Sequence, residues 1–456
     1  MPVCPDIVSI TNLMENFLYS VSRPHIIESL LSSFDIQRLK VSESGIKLMS
    51  LGALLASGRL EQCIQVADLL NFGDISITDR RYLSIFIFDN FREHCAANPR
   101  LAKSILHILM AVSPESMLPQ VQSTQYRRPV PLLKLDYAHT INPTVKGAVF
   151  FREFLYGEGS RRCEAGHRIQ NALASQGWDV SFFPLQDVHQ HSSGIKNDFV
   201  MVDVTAFFNM SLDDISDVLT GLRRFYRKII IIDVDVWSGA FDDMLRSISG
   251  CIDHVWVFTA DWCMEADPAL KEQCIVFPCM GGFDTLDNIN ILQSEWSTCS
   301  FNFTGSVQGY SPGRMYWLLE AMCRELPIVI NITDPTYDDG IDPIQSQHKY
   351  AEILASTHAS INLTTRRDGS RPATGRAFET LSLNRLLVQE SCPVFHRYFV
   401  EGEHFIEFSD IEGLSTAIDF FRSHPKAAQT ISTQGHQFYR DRYSCRKLVE
   451  HIQTFI

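Results

Sequence analysis

The chain has 456 residues and a formal net charge of −13, and it is 45% hydrophobic and 20% charged. That length suits roughly two to four domains with sizeable cores, and the composition is ordinary for a globular protein. The acidic balance argues against a general binder of nucleic acid or anionic membrane, and no stretch reaches the ~20 apolar residues of a spanning helix.

The first residues lack a basic start followed by an apolar core, so no signal peptide is read. The 12 cysteines are scattered and fit no zinc spacing, which points to reduced, mostly buried thiols in a cytoplasmic protein.

Residues 1–120 carry helical periodicity. Leu48, Leu51, Leu54 and Leu55 form an apolar stripe, Gly58 interrupts it, and a second helix follows. Another pair of helices is expected over Tyr82–Ala96 and Leu101–Met110, with Thr78 as an N-cap. The two hairpins resemble a TPR or HEAT-like array, whose repeats run to about 34–47 residues. Residues 121–144 read as a linker interrupted by Pro129, Pro131 and Pro143.

From 145 to 285 the pattern becomes alternating strand and helix. Val145–Phe151 predicts a strand, Phe154–Arg162 a glycine-containing loop, Ala165–Gln176 a helix stopped at Gly177, and Trp178–Phe183 the next strand. This is a βαβ unit, with ligands expected at the strand C-terminal ends. Within its loop Gly157, Glu158 and Gly159 form a turn. His189, in the loop after the second strand, is a candidate base. Further strands are expected at Asp198–Val204, Lys228–Val236, Val255–Phe258 and Cys274–Phe277. Asp233 and Asp235 at a strand end form an Asp-x-Asp pair of the kind that holds a divalent cation on a diphosphate.

A second α/β domain spans 286–440. Cys299–Ser306 predicts a strand ending near Gly305, Met315–Glu325 a helix with Arg314 just before it, and Leu326–Asn331 the next strand. Tyr350–Ser356 predicts a helix, Ala359–Leu363 a strand, and residues 412–456 three helices. The chain is organised around Arg371–Glu390. It opens as a loop with Arg371 and Arg376, continues as a short helix bearing Phe378 and Glu379, and ends in the apolar strand Leu386–Val388. Guanidinium groups grip a diphosphate in bidentate fashion, a helix N-terminus adds a positive dipole end, and a carboxylate inside the helix accepts from sugar or ribose hydroxyls.

That stretch resembles the donor segment of GT-B glycosyltransferases of the CgeB-like and family-4-like group. The resemblance continues through Tyr398–Phe408 and into the tail from His424. It departs from the family-4 pattern at Leu387, which stands where that group carries a second glutamate. The resemblance implies an α/β protein with two Rossmann-like domains facing a cleft, preceded by the all-helical hairpin domain, with a helix at 441–456 crossing back to the first Rossmann-like domain. It implies a glycosyltransferase that needs no metal or other cofactor. A nucleotide-sugar binds Gly305, Arg314, Arg371, Arg376, Phe378 and Glu379, and Glu158 or His189 serves as base if the reaction inverts. The acceptor is a protein docked on the helical domain, a glycan or a small molecule. Three alternatives remain open: a metal-dependent GT-A-like transferase using Asp233 and Asp235, a UDP-sugar 2-epimerase-like enzyme, and a non-catalytic scaffold.

Overall fold

The computed structural model describes residues 99–112 and, apart from short internal stretches, 131–456. The expected helices before residue 99 lie outside the described residues. The chain separates into two compact units: Met1–Gln120 with Val307–Leu326 and Thr365–Ser370, and Val121–Ser306 with Pro327–Thr364 and Arg371–Ile456.

In the first unit, helix α1 (Pro99–Val112) packs on a helix from much later in the chain, Gly313–Cys323. Ala102, Ile105, Ile108 and Leu109 on one side and Met315, Leu318 and Leu319 on the other are buried. Their apolar spacing at every third and fourth residue gives each helix one sealed face.

The second unit holds two parallel sheets. The first contains β1 (Lys146–Phe151), β4 (Asp179–Pro184), β5 (Asn197–Asp203), β6 (Tyr226–Asp233), β7 (His254–Val257) and β8 (Cys274–Val276) in the order β4-β1-β5-β6-β7-β8. Every pair is parallel, with Ala148 opposite Val200 and Val200 opposite Ile229. Ile229–Ile232 are fully buried on both faces. A continuous apolar run of that kind is what a central parallel strand requires. Helices α2 (Glu164–Ala174), α3 (Leu212–Phe225), α4 (Asp242–Ile248) and α5 (Pro268–Gln273) make the crossovers. Gly177, at φ +89°, turns the chain out of α2 in the left-handed conformation that glycine tolerates.

The expected glycine loop after β1 is instead a small antiparallel hairpin, β2 (Phe154–Tyr156) with β3 (Ser160–Arg162). Residues 157–159, between the two strands, lie outside the described residues.

The second sheet has the order β10-β9-β11-β12-β13, again all parallel. Its strands are β9 (Phe301–Gly305), β10 (Ile328–Ile332), β11 (Ala359–Asn362), β12 (Leu386–Glu390) and β13 (Ile406–Phe408). The helix Gly313–Cys323, already described in the first unit, is α6 in chain order. The helix expected at Tyr350–Ser356 starts earlier, as α7 (Pro343–Ala355), because a proline is at home in a first helical turn. Helix α8 (Gly375–Ser382) precedes β12, and α9 (Ile411–Ser423), α10 (Pro425–Arg442) and α11 (Cys445–Ile452) form the tail. Two Rossmann-like parallel sheets, each wound with helices, are the α/β architecture that the alternation of strands and helices predicts.

Residues 131–144 do more than connect. Leu133 N–H donates to the Arg397 carbonyl at 2.7 Å, Ala138 N–H to Glu450 at 2.9 Å, and the Tyr137 hydroxyl to Arg442 at 2.7 Å. The segment is a strap tied to the tail, and its prolines leave backbone groups free to pair with other elements rather than with each other. Helix α11 packs on α2 of the first sheet, and Phe277 meets Tyr443 and His451 in ring contacts. One apolar cluster runs from Trp178, Phe199 and Trp256 through Phe277 to Phe378, Tyr398 and Tyr443.

Candidate active site

The site is built on Arg371–Glu390, whose loop, helix and strand form as the sequence predicts. Thr374 is the N-cap of α8, with extended backbone (φ −107°, ψ 152°). Its hydroxyl is engaged by Asn362 at the end of β11, at 2.9 Å from Nδ2 and 3.1 Å from Oδ1. Asn362 Nδ2 also donates to Gln389 Oε1 of β12 at 2.7 Å. Asn362 thereby ties the entry of α8 to the C-terminal ends of two strands. Asn384, in the left-handed region at φ 54°, turns the chain out of α8 into β12, a conformation asparagine accepts more readily than most residues.

Arg376 and Glu379, one turn apart, lie on one face of α8. The Arg376 guanidinium lies 5.2 Å from the Phe303 ring centroid. A β-carbon on Gly305 would overlap Nη2 of Arg376, so the absence of a side chain at the end of β9 is what lets the guanidinium lie against that backbone. Arg376 Nε donates to the Tyr350 hydroxyl at 3.4 Å, and the Tyr350 hydroxyl donates to Glu379 Oε2 at 3.0 Å. The second carboxylate oxygen, Oε1, accepts from Nη1 of Arg168, a residue of α2. Glu379 is 7% exposed. Burial, and then the Glu379 charge beside it, push the Tyr350 phenol well above its ordinary range. The tyrosine therefore stays protonated as a donor to the carboxylate.

The other expected residues fall out as follows. Arg371 Nη1 donates to the Ser391 carbonyl at 3.4 Å, while its own carbonyl accepts from the Cys392 thiol at 2.9 Å. Burial pushes that thiol up to about 12. Phe378, expected at the donor, is 1% exposed, with its ring 5.4–6.1 Å from those of Phe395, Tyr398, Phe399 and Tyr443. On α8 it points away from Glu379 and into the core, because consecutive helix positions face different directions. Arg314 stands in the first turn of α6, within the first unit, and is 1% exposed. Gly157, Glu158, Gly159 and His189 lie outside the described residues, as does Asp235. Asp233 ends β6 and is 1% exposed. Among the described residues there is no group of three or more His, Cys, Asp or Glu arranged to hold a metal ion, and no helix is long and apolar enough to cross a membrane.

Leu387 is 0% exposed in the middle of β12. A carboxylate at that point would have to be taken out of water into a sheet core. Sequence reasoning missed Arg168, Tyr350 and Asn362. Each lies on a different element from Arg376 and Glu379, and no local pattern marks it.

Residues 314–454 match the family model described as glycosyl transferase-like. No curated protein matches at a significant level. Among solved structures, Anabaena HepE in complex with UDP and glucose is similar at 10% identity, covering 68% of this chain and 98% of that one, with a TM-score of 0.46. Sucrose-phosphate synthase from Thermosynechococcus elongatus is similar at 10% identity, covering 68% and 98%, with a TM-score of 0.43. An alpha-glucosyltransferase in complex with UDP-glucose and DNA containing an abasic site is similar at 10% identity, covering 68% and 99%, with a TM-score of 0.45. At these identities and TM-scores they carry no argument about donor, acceptor or metal. The family match covers residues 314–454, the segment that holds Arg371–Glu390.

Proposed function

We infer that this chain is a CgeB-like glycosyltransferase of GT-B architecture, moving a sugar from a nucleotide-sugar to an acceptor without a metal ion. The observation that carries this reading is the arrangement of Arg376 and Glu379 on one face of α8, within the family-matched segment and beside the glycine that ends β9. The leaving diphosphate is met by the guanidinium groups of Arg376 and Arg371 and by the N-terminus of α8, which together perform the charge neutralisation a metal would supply. Glu379, held in place by hydrogen bonds from Arg168 and Tyr350, accepts from donor hydroxyls. An inverting reaction takes its base from the first-sheet side, at Glu158 or His189. The acceptor class that suits an added helical segment is a protein, in the cytoplasm.

The test is a thermal-shift screen of the full chain against UDP, GDP, ADP, CMP and their sugars, with and without EDTA. A ligand that binds only the folded state raises its apparent stability. The expected result is a shift with one nucleotide that persists in EDTA and is lost in Arg376→Ala. Loss of the shift in EDTA would instead support the Asp233–Asp235 reading. No shift with any nucleotide would overturn the donor site and leave the scaffold reading.

A further inference from the structure

The geometry points to Arg168 as a positioning residue for Glu379, making the pair a reader of adjacent hydroxyls on the donor. This rests on the donor-site reading above and goes beyond it by naming a residue from the first sheet as part of donor selection.

Arg168 and Glu379 have side chains only 10% and 9% exposed. They are separated by 211 positions in sequence and come from different sheets, α2 following β3 and α8 preceding β12. A nearly dry ion pair gains little net stability, because desolvating both charges offsets their attraction. Such a pair nevertheless fixes geometry. The Arg168 guanidinium also lies 4.8 Å from the centroid of Phe283, in the segment that connects the two sheets. The Phe283 ring meets Tyr350 edge-on at 5.8 Å. Arg168 therefore touches the connecting segment and the carboxylate at once, and Tyr350 closes the other side of the same carboxylate.

Each Glu379 oxygen accepts one hydrogen bond, Oε1 from Arg168 and Oε2 from Tyr350. An ionised carboxylate has about four acceptor positions, and hydrogen bonds from the described residues fill one on each oxygen. Two acceptors set side by side and held in one plane match two neighbouring hydroxyls, as on ribose or on a hexose. Arg168 contributes by holding the carboxylate in one rotamer. Without it the carboxylate turns, and the two-point match is lost.

The experiment measures calorimetric affinities of the full chain for the nucleoside diphosphate that binds it, for its 2′-deoxy form and for its sugar conjugates, in wild type, Arg168→Ala, Arg168→Lys and Glu379→Gln. Wild type is expected to prefer one diol-bearing ligand by about tenfold over the counterpart that lacks it. A preference for ribose over deoxyribose assigns the diol to the ribose, and a preference for the sugar conjugate over the bare diphosphate assigns it to the sugar. In Arg168→Ala the preference falls to near unity while affinity for the ligand without the diol is kept, in Glu379→Gln the preference is lost, and Arg168→Lys restores part of it. A general packing defect would lower both affinities together and would overturn the inference. So would a preference that Arg168→Ala leaves unchanged while wild type binds nucleotide. A wild-type chain that binds no nucleotide overturns the donor site itself.

Discussion

Gly305 and Arg376 adjoin so closely that a side chain on the first would displace the guanidinium of the second. Gly305 also sits at φ +151°, a conformation that L side chains rarely adopt. The alanine variant is therefore opposed twice. Gly305→Ala is expected to lower stability by about 1–3 kcal/mol and to weaken binding of the nucleoside diphosphate at least tenfold through Arg376. Thermal unfolding and calorimetric titration separate the two effects. Stability loss with unchanged affinity would show that Arg376 does not meet the diphosphate.

The segment connecting the sheets is anchored to the tail by Asp284. Its carboxylate accepts from the Tyr439 hydroxyl at 2.8 Å and from the Cys445 N–H, in the first turn of α11, at 2.8 Å. An acidic group at a helix start is favourable on both hydrogen-bonding and dipole grounds. Asp284→Ala is expected to cost about 1 kcal/mol, and Asp284→Asn less, as read by the urea midpoint. Equal losses in the two variants would indicate that shape rather than acceptor capacity is what matters.

The His396 Nε2–H donates to Glu407 Oε2 at 2.6 Å. This bond, outweighing partial burial, raises the imidazole above its ordinary value of 6.5. A raised folded-state value means that the pair stabilises fully below about pH 6.5 and that its contribution is lost as pH rises through the folded value. Wild type compared with Glu407→Gln across pH 5.5 to 8.5 (roughly the titration range of a histidine) is expected to differ most at the acidic end, by about 1 kcal/mol. A gap that widens towards alkaline pH would contradict the assignment.

His451 behaves oppositely. Its Nδ1–H donates to the Asp136 carbonyl at 2.7 Å, pinning α11 to the strap, and burial lowers the imidazole from 6.5. The unfolded chain takes up a proton there before the folded chain does. Stability from this site is therefore present above about pH 6.5 and falls as pH drops towards the folded value. His254, whose Nε2–H donates to the Phe455 carbonyl at 3.1 Å, is lowered for the same leading reason, burial. Acidification is expected to loosen the tail first, and hydrogen exchange in α11 at pH 5 against pH 7 measures it. Equal protection at both values would rule this out.

Much of the molecule is legible in the sequence because it is local. The run Ile229–Ile232 reads as a buried strand, Gly177 stops a helix where left-handed backbone is needed, and the order of Arg371, Arg376, Glu379 and Leu386–Val388 marks loop, helix and strand. Those features depend on backbone conformation and on the period of burial, both of which act over a few residues. Tertiary structure decided the rest. Phe378 and Glu379 are neighbours in sequence with opposite fates, one in an aromatic core and one in the site, and only the packing around α8 separates them. Arg168 becomes part of the site because α2 meets α8 across 211 positions of chain, and the proline-rich strap finds its partners in the tail. Burial of a charge and pairing of a backbone amide are settled by whatever the fold brings alongside, and no local pattern records that.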